Sequence, residues 1–182
     1  MSRWSVHTPA FYTDTTMNQH SDLLPTRPVR VLMVCLGNIC RSPAAEEIFR
    51  QVVIEHGAEH LIEVDSAGTG SYHVGQLPDR RMRVHAAQRG LQLTHHCRTV
   101  ATEDFDEFDL IIRMDASNLQ NLRRMAPSVE AARKIHSMAE YFTPGSTHFD
   151  HVPDPYYEGA EGFELVLDLL TDACQNLYFT LL

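Results

Sequence analysis

The sequence predicts an α/β fold of three layers (αβα), in which helices cover both faces of a four-stranded parallel sheet. Short runs rich in apolar and β-branched residues alternate along the chain with segments of helical periodicity. Such alternation favours right-handed crossovers, which join parallel strands and place helices on both faces of the sheet. Because ligands of such sheets bind beyond the carboxyl ends of the strands, functional residues are expected at those ends.

The first strand and the first helix are predicted within residues 29–57. The run from Val29 to Cys35 is apolar and rich in valine, and a glycine-containing turn follows it. Ser42-Pro43 and the acidic residues after them are typical of a helix start. Apolar residues at helical spacing then continue to about His56, and Gly57 is expected to end the helix.

The remaining elements repeat this alternation of strand and helix. Residues 61–67 and 110–114 are predicted to be the second and third strands, and residues 134–138 a weaker fourth strand. Further stretches are predicted to be helices (78–89, 115–125 and 163–182) or a long loop rich in Pro, Gly, Asp and Tyr (143–160). Three residues with chemically useful side chains then lie at the carboxyl ends of strands: Cys35, Ser66 and Asp115.

Length and composition point to one soluble globular domain, since the chain has 182 residues and a charged fraction of 21%. The net charge of −9 argues against a nucleic-acid partner and against binding to an anionic membrane surface. The 4 cysteines have neither the density of a disulfide scaffold nor the spacing of metal ligands, so a reducing, cytoplasmic location and no metal are expected. The absence of any run of eighteen apolar residues predicts no membrane span.

The domain is expected to occupy residues 29–182, with residues 1–28 as an N-terminal extension. The extension mixes aromatic with small polar residues, has no helical period and ends in Pro25-Thr26-Arg27-Pro28. It lacks the continuous apolar core of a secretory signal, so we interpret it as a flexible tail or a loosely packed arm. A second hypothesis places the start of translation at Met17.

The stretch Cys-Leu-Gly-Asn-Ile-Cys-Arg-Ser at residues 35–42 predicts an anion site built around a nucleophile. Between a strand and a helix N-terminus, its backbone N–H groups and the helix dipole face an anion. The same groups, together with the Arg41 guanidinium, favour the thiolate of Cys35. Arg41 can also bind two oxygens of one phosphoryl group. The alternative, a buried strand-end cysteine beside a surface arginine, is disfavoured by the glycine and the Ser-Pro pair.

The segment VCLGNICRSPAAEEIF (34–49) resembles the signature loop of the low-molecular-weight protein tyrosine phosphatases. Three later segments occur in the order known from that family: DSAGTGSYHVG (65–75), DLIIRMDASNL (109–119) and DPYY (154–157). The resemblance extends over about residues 30–182. It implies the phosphotyrosine phosphatase I type of fold, and hydrolysis of phosphotyrosine in a protein substrate through a cysteinyl-phosphate intermediate, without a cofactor.

The resemblance also implies catalytic roles for three residues. Cys35 is the expected nucleophile, and Arg41 holds the phosphoryl group. Asp154 is the expected general acid, although an aspartate before proline is also common as a solvated turn residue. The expected phosphate-binding residues are Leu36, Gly37, Asn38, Ile39, Cys40, Arg41 and Ser42.

A supporting network behind the loop and a wall in front of it are implied in the same way. The network comprises Asn38, Ser42, Ser66, His95 and Asp115, with His96 as an alternative to His95 and a helix N-cap as the alternative role of Asp115. Ser42 resembles the family serine whose hydroxyl donates to the thiolate and assists breakdown of the intermediate; a helix N-cap is its alternative role, and the two roles are compatible. The wall comprises Leu36, Tyr72 and Tyr156, which would form a slot deep enough to favour aryl phosphates.

Cys40 is expected to be a redox partner of Cys35, because two thiols this close can form a disulfide that protects the nucleophile from overoxidation. The alternative is a small residue that packs beneath the loop. No other partner than a phosphotyrosine-containing protein is expected, and the chain is expected to be a monomer or a weak dimer.

Three other functions are open to a chain with these motifs. Arsenate reductases that resemble this family need relay cysteines after a central strand, where this chain has residues 111–115 without cysteine. Related protein arginine phosphatases tend to carry threonine at the position of Ile39, so Ile39 favours phosphotyrosine. A phosphotyrosine-binding protein without activity would lack Cys35, Arg41 or Asp154, and all three are present.

Overall fold

The computed structural model describes residues 27–182, so the predicted extension lies outside the described part except for its last two residues. The strands are β1 (Val29–Cys35), β2 (Ile62–Gly68), β3 (Leu110–Arg113) and β4 (Ile135–Ser137). All pair in parallel, in the order β2-β1-β3-β4, which confirms the predicted sheet. Because β1 is central, its last residue lies between the ends of its two neighbours.

Helices flank this sheet: α1 (Arg41–Glu55), α2 (Arg80–Gln88), α3 (Asp104–Glu107), α4 (Ala116–Met125), α5 (Val129–Ala132) and α6 (Ala160–Leu181). A 3-10 helix covers Met138–Tyr141. Within residues 27–182, no helix combines the length and the apolar character needed to cross a bilayer.

Two hydrophobic cores lie on opposite faces of the sheet, because alternate residues of β1 point to opposite sides. Val31 and Met33 belong to the core that contains the buried residues of α1 and α6. Leu32 and Val34 belong to the smaller core, which contains buried residues of α3 and α4. All four side chains are fully buried, so this packing fixes the direction in which β1 delivers Cys35.

Of the two roles considered for Ser42, the helix N-cap is not the one that the structure shows. The helix begins at Arg41, the cap position is Cys40, and no side chain caps it. The Ser42 hydroxyl instead turns toward the Cys35 sulfur, where it serves the loop rather than the helix end. The sequence pattern for a cap was present, but the tertiary contact determined the orientation of the side chain.

Short elements were also missed, since α3 and α5 have only four residues each and show no helical period. The predicted fourth strand is shortened to three residues because Ser137 and Glu140 form a capping box that starts the 3-10 helix at Met138. The last helix begins at Ala160, three residues before the predicted start at Phe163.

Candidate active site

The loop Leu36–Cys40 joins β1 to α1 at the carboxyl edge of the sheet. None of its five backbone N–H groups donates a hydrogen bond to another of the described residues. These donors lie at the N-terminus of the 15-residue helix α1, where the helix dipole also favours negative charge. These N–H groups are therefore available to a ligand that accepts hydrogen bonds.

Two residues, Asn38 and Gly68, allow this loop conformation. Asn38 has a φ of 55°, and asparagine tolerates this left-handed region better than most residues do. A Cβ atom added to Gly68, at the end of β2, would lie 2.7 Å from the Leu36 carbonyl oxygen and 3.0 Å from the Asn38 nitrogen. The loop can approach β2 this closely only because residue 68 has no side chain.

The thiol of Cys35 is buried at the bottom of this loop, with a residue exposure of 3%. Its sulfur lies 3.1 Å from the Ser42 hydroxyl oxygen. The same hydroxyl accepts a hydrogen bond from Asn38 Nδ2 at 2.9 Å and lies 3.3 Å from the Ala67 carbonyl oxygen. A hydroxyl held in this way can donate to a thiolate at position 35.

The guanidinium of Arg41 is almost fully buried and is held by two carboxylates. Its Nη1 donates to Asp115 Oδ2 at 2.5 Å and to the Val152 carbonyl at 3.2 Å, and its Nη2 donates to Asp154 Oδ2 at 3.1 Å. Burial alone would lower the pKa of Arg41, but the charges of Cys35, Asp154 and Asp115 outweigh burial and raise it. Arg41 therefore carries a fixed positive charge beside the thiol.

Asp115 has both of the roles that the sequence left open. Its Oδ1 accepts from the Asn118 N–H at 2.9 Å and caps α4, while its Oδ2 accepts from Arg41. Burial raises the pKa of Asp115, but the Asn118 N–H, Arg41 and the Ser117 hydroxyl together lower it below its usual range. A charged Asp115 thus fixes the orientation of the Arg41 guanidinium.

Asp154 lies on the loop before α6, and its side chain is 44% exposed. Its Oδ2 faces Arg41, and its Oδ1 accepts from the Tyr156 N–H at 3.2 Å. Asp154 lines the same cavity as Cys35, so a carboxyl group and a thiol face one space although they are 119 positions apart in the sequence.

That cavity has a volume of about 330 Å³. It contains the predicted wall residues Leu36, Tyr72 and Tyr156, which are all exposed. It also contains His73 and Tyr157, which sequence reasoning missed although each directly follows a predicted wall residue. Arg81 contacts both the backbone and the ring of Tyr156. Its Nη1 donates to the Tyr156 carbonyl at 3.0 Å, and its guanidinium lies 5.1 Å from the Tyr156 ring centroid.

A buried hydrogen-bond network holds the Asn38 side chain. Its Nδ2 donates to Ser42 Oγ and Ser66 Oγ, both at 2.9 Å. Its Oδ1 accepts from His95 Nε2 at 3.1 Å and from the Arg98 N–H at 2.9 Å. The structure thus brings His95, and not His96, to the loop.

Glu46 and Asp65 extend the network beyond the residues predicted from the sequence. Ser66 Oγ donates to Glu46 Oε2 at 2.6 Å, and His95 Nδ1 lies 3.2 Å from Glu46 and 3.6 Å from Asp65. These carboxylates and His95 offer three potential metal ligands within 4.8 Å of one another. Both carboxylates already accept from guanidinium groups, of Arg50 and Arg98, so we interpret the cluster as support for Asn38.

Cys40 is buried at the cavity floor. Burial, and then the charges of Asp79, Cys35 and Asp154, raise the pKa of the Cys40 thiol well above its usual range. Cys40 is therefore a neutral thiol at neutral pH.

The family model described as low molecular weight phosphotyrosine protein phosphatase matches residues 30–182. The low molecular weight phosphotyrosine protein phosphatase of Schizosaccharomyces pombe is 43% identical over 83% of this chain and 96% of its own length. The crystal structure of a protein tyrosine phosphatase from Entamoeba histolytica has a TM-score of 0.80 and 44% identity, and covers 84% of this chain and 96% of that chain.

A Drosophila arginine phosphatase is also similar in structure. It has a TM-score of 0.76 and 34% identity, with 82% of this chain and 96% of that chain covered. Similarity of fold thus extends to a protein named for a different phosphorylated residue. The family model and the relative from S. pombe are both named for phosphotyrosine. The chain belongs to the low molecular weight phosphotyrosine protein phosphatase family.

Proposed function

We propose that this protein is a protein tyrosine phosphatase, a phosphoric monoester hydrolase in which Cys35, Arg41 and Asp154 are the catalytic residues. The observation that carries the proposal is that these three side chains line one cavity, above a loop whose N–H groups have no acceptor among the described residues. The chain itself supplies the nucleophile, the fixed positive charge and the acid, so the proposed reaction needs no metal or cofactor.

In the first step, the Cys35 thiolate attacks phosphorus and the bond from phosphorus to the tyrosine oxygen breaks. Asp154, in its protonated form, transfers its proton to the leaving phenolate. The loop N–H groups and Arg41 hold the equatorial oxygens, on which charge is spread in the transition state. The products of this step are tyrosine and a cysteinyl phosphate.

In the second step, Asp154 acts as a base for the attacking water. Water adds to phosphorus, its proton moves to the Asp154 carboxylate, and the Cys35 thiolate leaves with the electrons of the S–P bond. The Ser42 hydroxyl, 3.1 Å from the sulfur, stabilises the thiolate as it forms. Inorganic phosphate is released and the resting state is restored.

The walls of the cavity support an aryl phosphate as substrate. Tyr72 and Tyr156 offer aromatic surface to a phenyl ring, and Ile39 adds an apolar side chain where related arginine phosphatases tend to have a hydroxyl. Phosphoarginine is the second candidate, because one of the similar structures is that of an arginine phosphatase. We expect a phosphotyrosine peptide to be hydrolysed with a higher kcat/KM than a phosphoarginine peptide of the same sequence.

The test is hydrolysis of both peptides by the purified protein in the presence of a chelator. We expect Cys35→Ser to abolish turnover, while the control Cys174→Ser retains it, because Cys174 is buried in the core that contains α1 and α6 and does not line the cavity. A wild-type protein that releases no phosphate without added metal would contradict the proposal. A preference for the phosphoarginine peptide would contradict the choice of substrate.

We also propose that Cys35 and Cys40 form a protective disulfide. Peroxide would oxidise the Cys35 thiolate to a sulfenic acid, and the Cys40 thiol would displace water from it to form the S–S bond. The neutral state of Cys40 fits this order, in which Cys35 reacts first. Mass mapping of peptides after mild peroxide should find the Cys35–Cys40 disulfide and full recovery of activity with a dithiol. Irreversible loss of activity without this disulfide would contradict the proposal.

Three further proposals concern the extent of the domain, its location and its oligomeric state. We propose that residues 29–182 are the catalytic domain, that it works on phosphotyrosine-containing proteins in the cytoplasm, and that it is a monomer or weak dimer without nucleic-acid or membrane partners. Sedimentation of the full chain over a range of concentrations tests the oligomeric state, since a dimer that persists at nanomolar concentration would contradict this view.

A further inference from the structure

Cys97 is a buried cysteine that touches the loop Leu36–Cys40, the proposed phosphate-binding loop, without lining its cavity. It belongs to the segment between α2 and α3 that also supplies His95 and Arg98 to the Asn38 side chain. The Cys97 thiol donates to the main-chain carbonyl of Asn38, with a distance of 2.8 Å from Sγ to oxygen. Among the described residues, no other donor bonds to this carbonyl.

The contact fixes the direction of a peptide group that the phosphate site uses. The Asn38 carbonyl and the Ile39 N–H belong to one peptide, and the described part of the chain contains no cis peptide bond. In a trans peptide these two groups point in opposite directions. A carbonyl held toward Cys97 therefore directs the Ile39 N–H, which has no acceptor among the described residues, away from Cys97.

This peptide needs an external restraint because it follows a residue in the left-handed region. With a φ of 55°, Asn38 occupies a conformation that persists only where the surroundings hold it. The side chain of Asn38 is held by the network described above, but that network does not reach its main-chain carbonyl. Cys97 supplies the missing hydrogen bond.

The backbone of Cys97 is attached to the turn that carries the cavity wall. Its N–H donates to the Gln76 carbonyl at 2.8 Å, and its carbonyl accepts from the Gly75 N–H at 2.7 Å. This turn continues directly from Tyr72 and His73, which line the cavity. One residue thus connects the phosphate-binding loop to the wall that faces the substrate ring.

The thiol can act as a donor only while it keeps its proton. Burial, and then the negative charge of Cys35, raise the pKa of Cys97 to about 11. Cys97 therefore remains a neutral S–H donor at neutral pH.

We propose that Cys97 is a positioning residue of the phosphate site, which orients the Asn38–Ile39 peptide through its thiol and attaches the loop to the Tyr72 turn through its backbone. Its effect on catalysis rests on the proposed phosphatase activity, but its effect on the loop can be measured as binding of inorganic phosphate without turnover. A thiol donor in this place is expected to strengthen phosphate binding in the ground state and in the transition state alike.

The test compares two substitutions at position 97 with one at a distant buried cysteine. Cys97→Ala removes the donor, Cys97→Ser keeps a donor, and the control Cys174→Ala removes a buried thiol from the core that contains α1 and α6. Calorimetry with inorganic phosphate should show affinity weaker by about threefold to tenfold in Cys97→Ala, the range of one net hydrogen bond. Cys97→Ser should bind within about twofold of wild type. Cys174→Ala should lower the melting temperature and leave phosphate affinity unchanged.

Wild-type affinity in Cys97→Ala, or equally weak binding in Cys97→Ala and Cys97→Ser, would overturn the proposal. If Cys97→Ala does not fold, Cys97→Val, which also lacks a donor but fills more of the site, replaces it in the same comparison with Cys97→Ser. Hydrolysis of p-nitrophenyl phosphate by wild type is measured alongside. An inactive wild type would count against the proposed function, whereas the three phosphate affinities decide the role of Cys97 independently.

Discussion

The two sides of the phosphate-binding loop differ in how firmly their side chains are held. Behind the loop, Asn38, Ser42 and Ser66 have no exposed surface and are joined by hydrogen bonds. In front of it, the Tyr72 and Tyr157 side chains belong to residues that are 76% and 91% exposed. The first group is fixed by folding, and the second is free to adapt to a ligand.

We relate this difference to two parts of the proposed substrate, the phosphoryl group and the ring with its surrounding peptide. The phosphoryl group is the same in every substrate, so its donors can be oriented before the substrate binds, which removes reorganisation from the transition state. The ring and the peptide around it differ among substrates, and exposed aromatic side chains can contact them at a low cost in stability. Substitutions of Asn38, Ser42 or Ser66 should therefore change kcat and folding, whereas substitutions at the rim should change mainly KM.

After replacement of the nucleophile, the largest effect is expected from Asp154, which lines the cavity with Cys35. Asp154→Ala removes the proposed general acid and should lower kcat for phosphotyrosine by about 10² to 10³-fold. The loss should be much smaller for an aryl phosphate whose leaving group needs no proton. Steady-state kinetics with both substrates measure the effect, and Asp150→Ala, which changes an exposed aspartate on the same loop, should behave as wild type. Equal losses for both leaving groups would argue against the acid role.

Asn38→Ala should have the next largest effect, because it leaves the hydroxyls of Ser42 and Ser66 and the His95 ring without their shared partner. It also places alanine at a φ of 55°, where it is less favourable than asparagine. We expect kcat to fall by about tenfold to a hundredfold and unfolding free energy to fall by about 2 kcal/mol. Thermal melts and kinetics check this.

The control for Asn38 is Asn176→Ala on α6, which loses two side-chain hydrogen bonds far along the chain from the loop. It should lower stability without lowering kcat. If Asn38→Ala retained wild-type kcat, the view that the buried residues behind the loop determine kcat would be wrong.

Asp115→Asn should destabilise the protein in a pH-dependent way. Because the folded state lowers the pKa of Asp115, its stabilising effect is complete above the unfolded value of about 4 and is lost as the pH falls through the lower folded value. The variant should therefore be less stable than wild type by about 1 to 3 kcal/mol at pH 7, and the difference should shrink toward pH 2. Urea unfolding at a series of pH values measures it.

Asp106→Asn, at an exposed position on α3, provides the matched control, with an expected stability difference near zero throughout. A constant difference between Asp115→Asn and wild type over the whole pH range would show that packing, and not the charge, explains the effect of Asp115.

The smallest effect is expected at the rim. Tyr72→Ala should raise KM for a phosphotyrosine peptide by about threefold to tenfold while kcat changes little, since it removes one exposed aromatic contact. Tyr72→Trp should restore the wild-type KM. Stability should be unchanged in both variants, and a loss of kcat larger than the rise in KM would remove the distinction between loop and rim.

Residues that are contiguous in the sequence could be predicted from it, whereas contacts between distant residues could not. The loop from Cys35 to Ser42 is contiguous, so its strand, glycine and helix start could be interpreted locally. The roles proposed for Asp154 and His95 came from the resemblance alone, because nothing in the local sequence indicates a contact with a distant loop. Cys97 and Arg98 were missed for this reason, since they bond to Asn38 across 59 and 60 positions. The contact of Ser42 with the Cys35 sulfur also came from the resemblance, whereas the local sequence pattern offered a helix N-cap that the structure does not show.

The central claim is that Cys35 attacks phosphorus, and isolation of the covalent intermediate tests it most directly. Wild-type protein is mixed with an aryl phosphate, quenched in acid within milliseconds and digested, and the peptides are identified by mass spectrometry. We expect one phosphate on the peptide that contains Cys35. With an activated substrate, the phosphorylated fraction should be higher in Asp154→Ala than in wild type, because hydrolysis of the intermediate then limits the rate. Steady turnover without phosphate on Cys35, or with phosphate on another residue, would contradict the account.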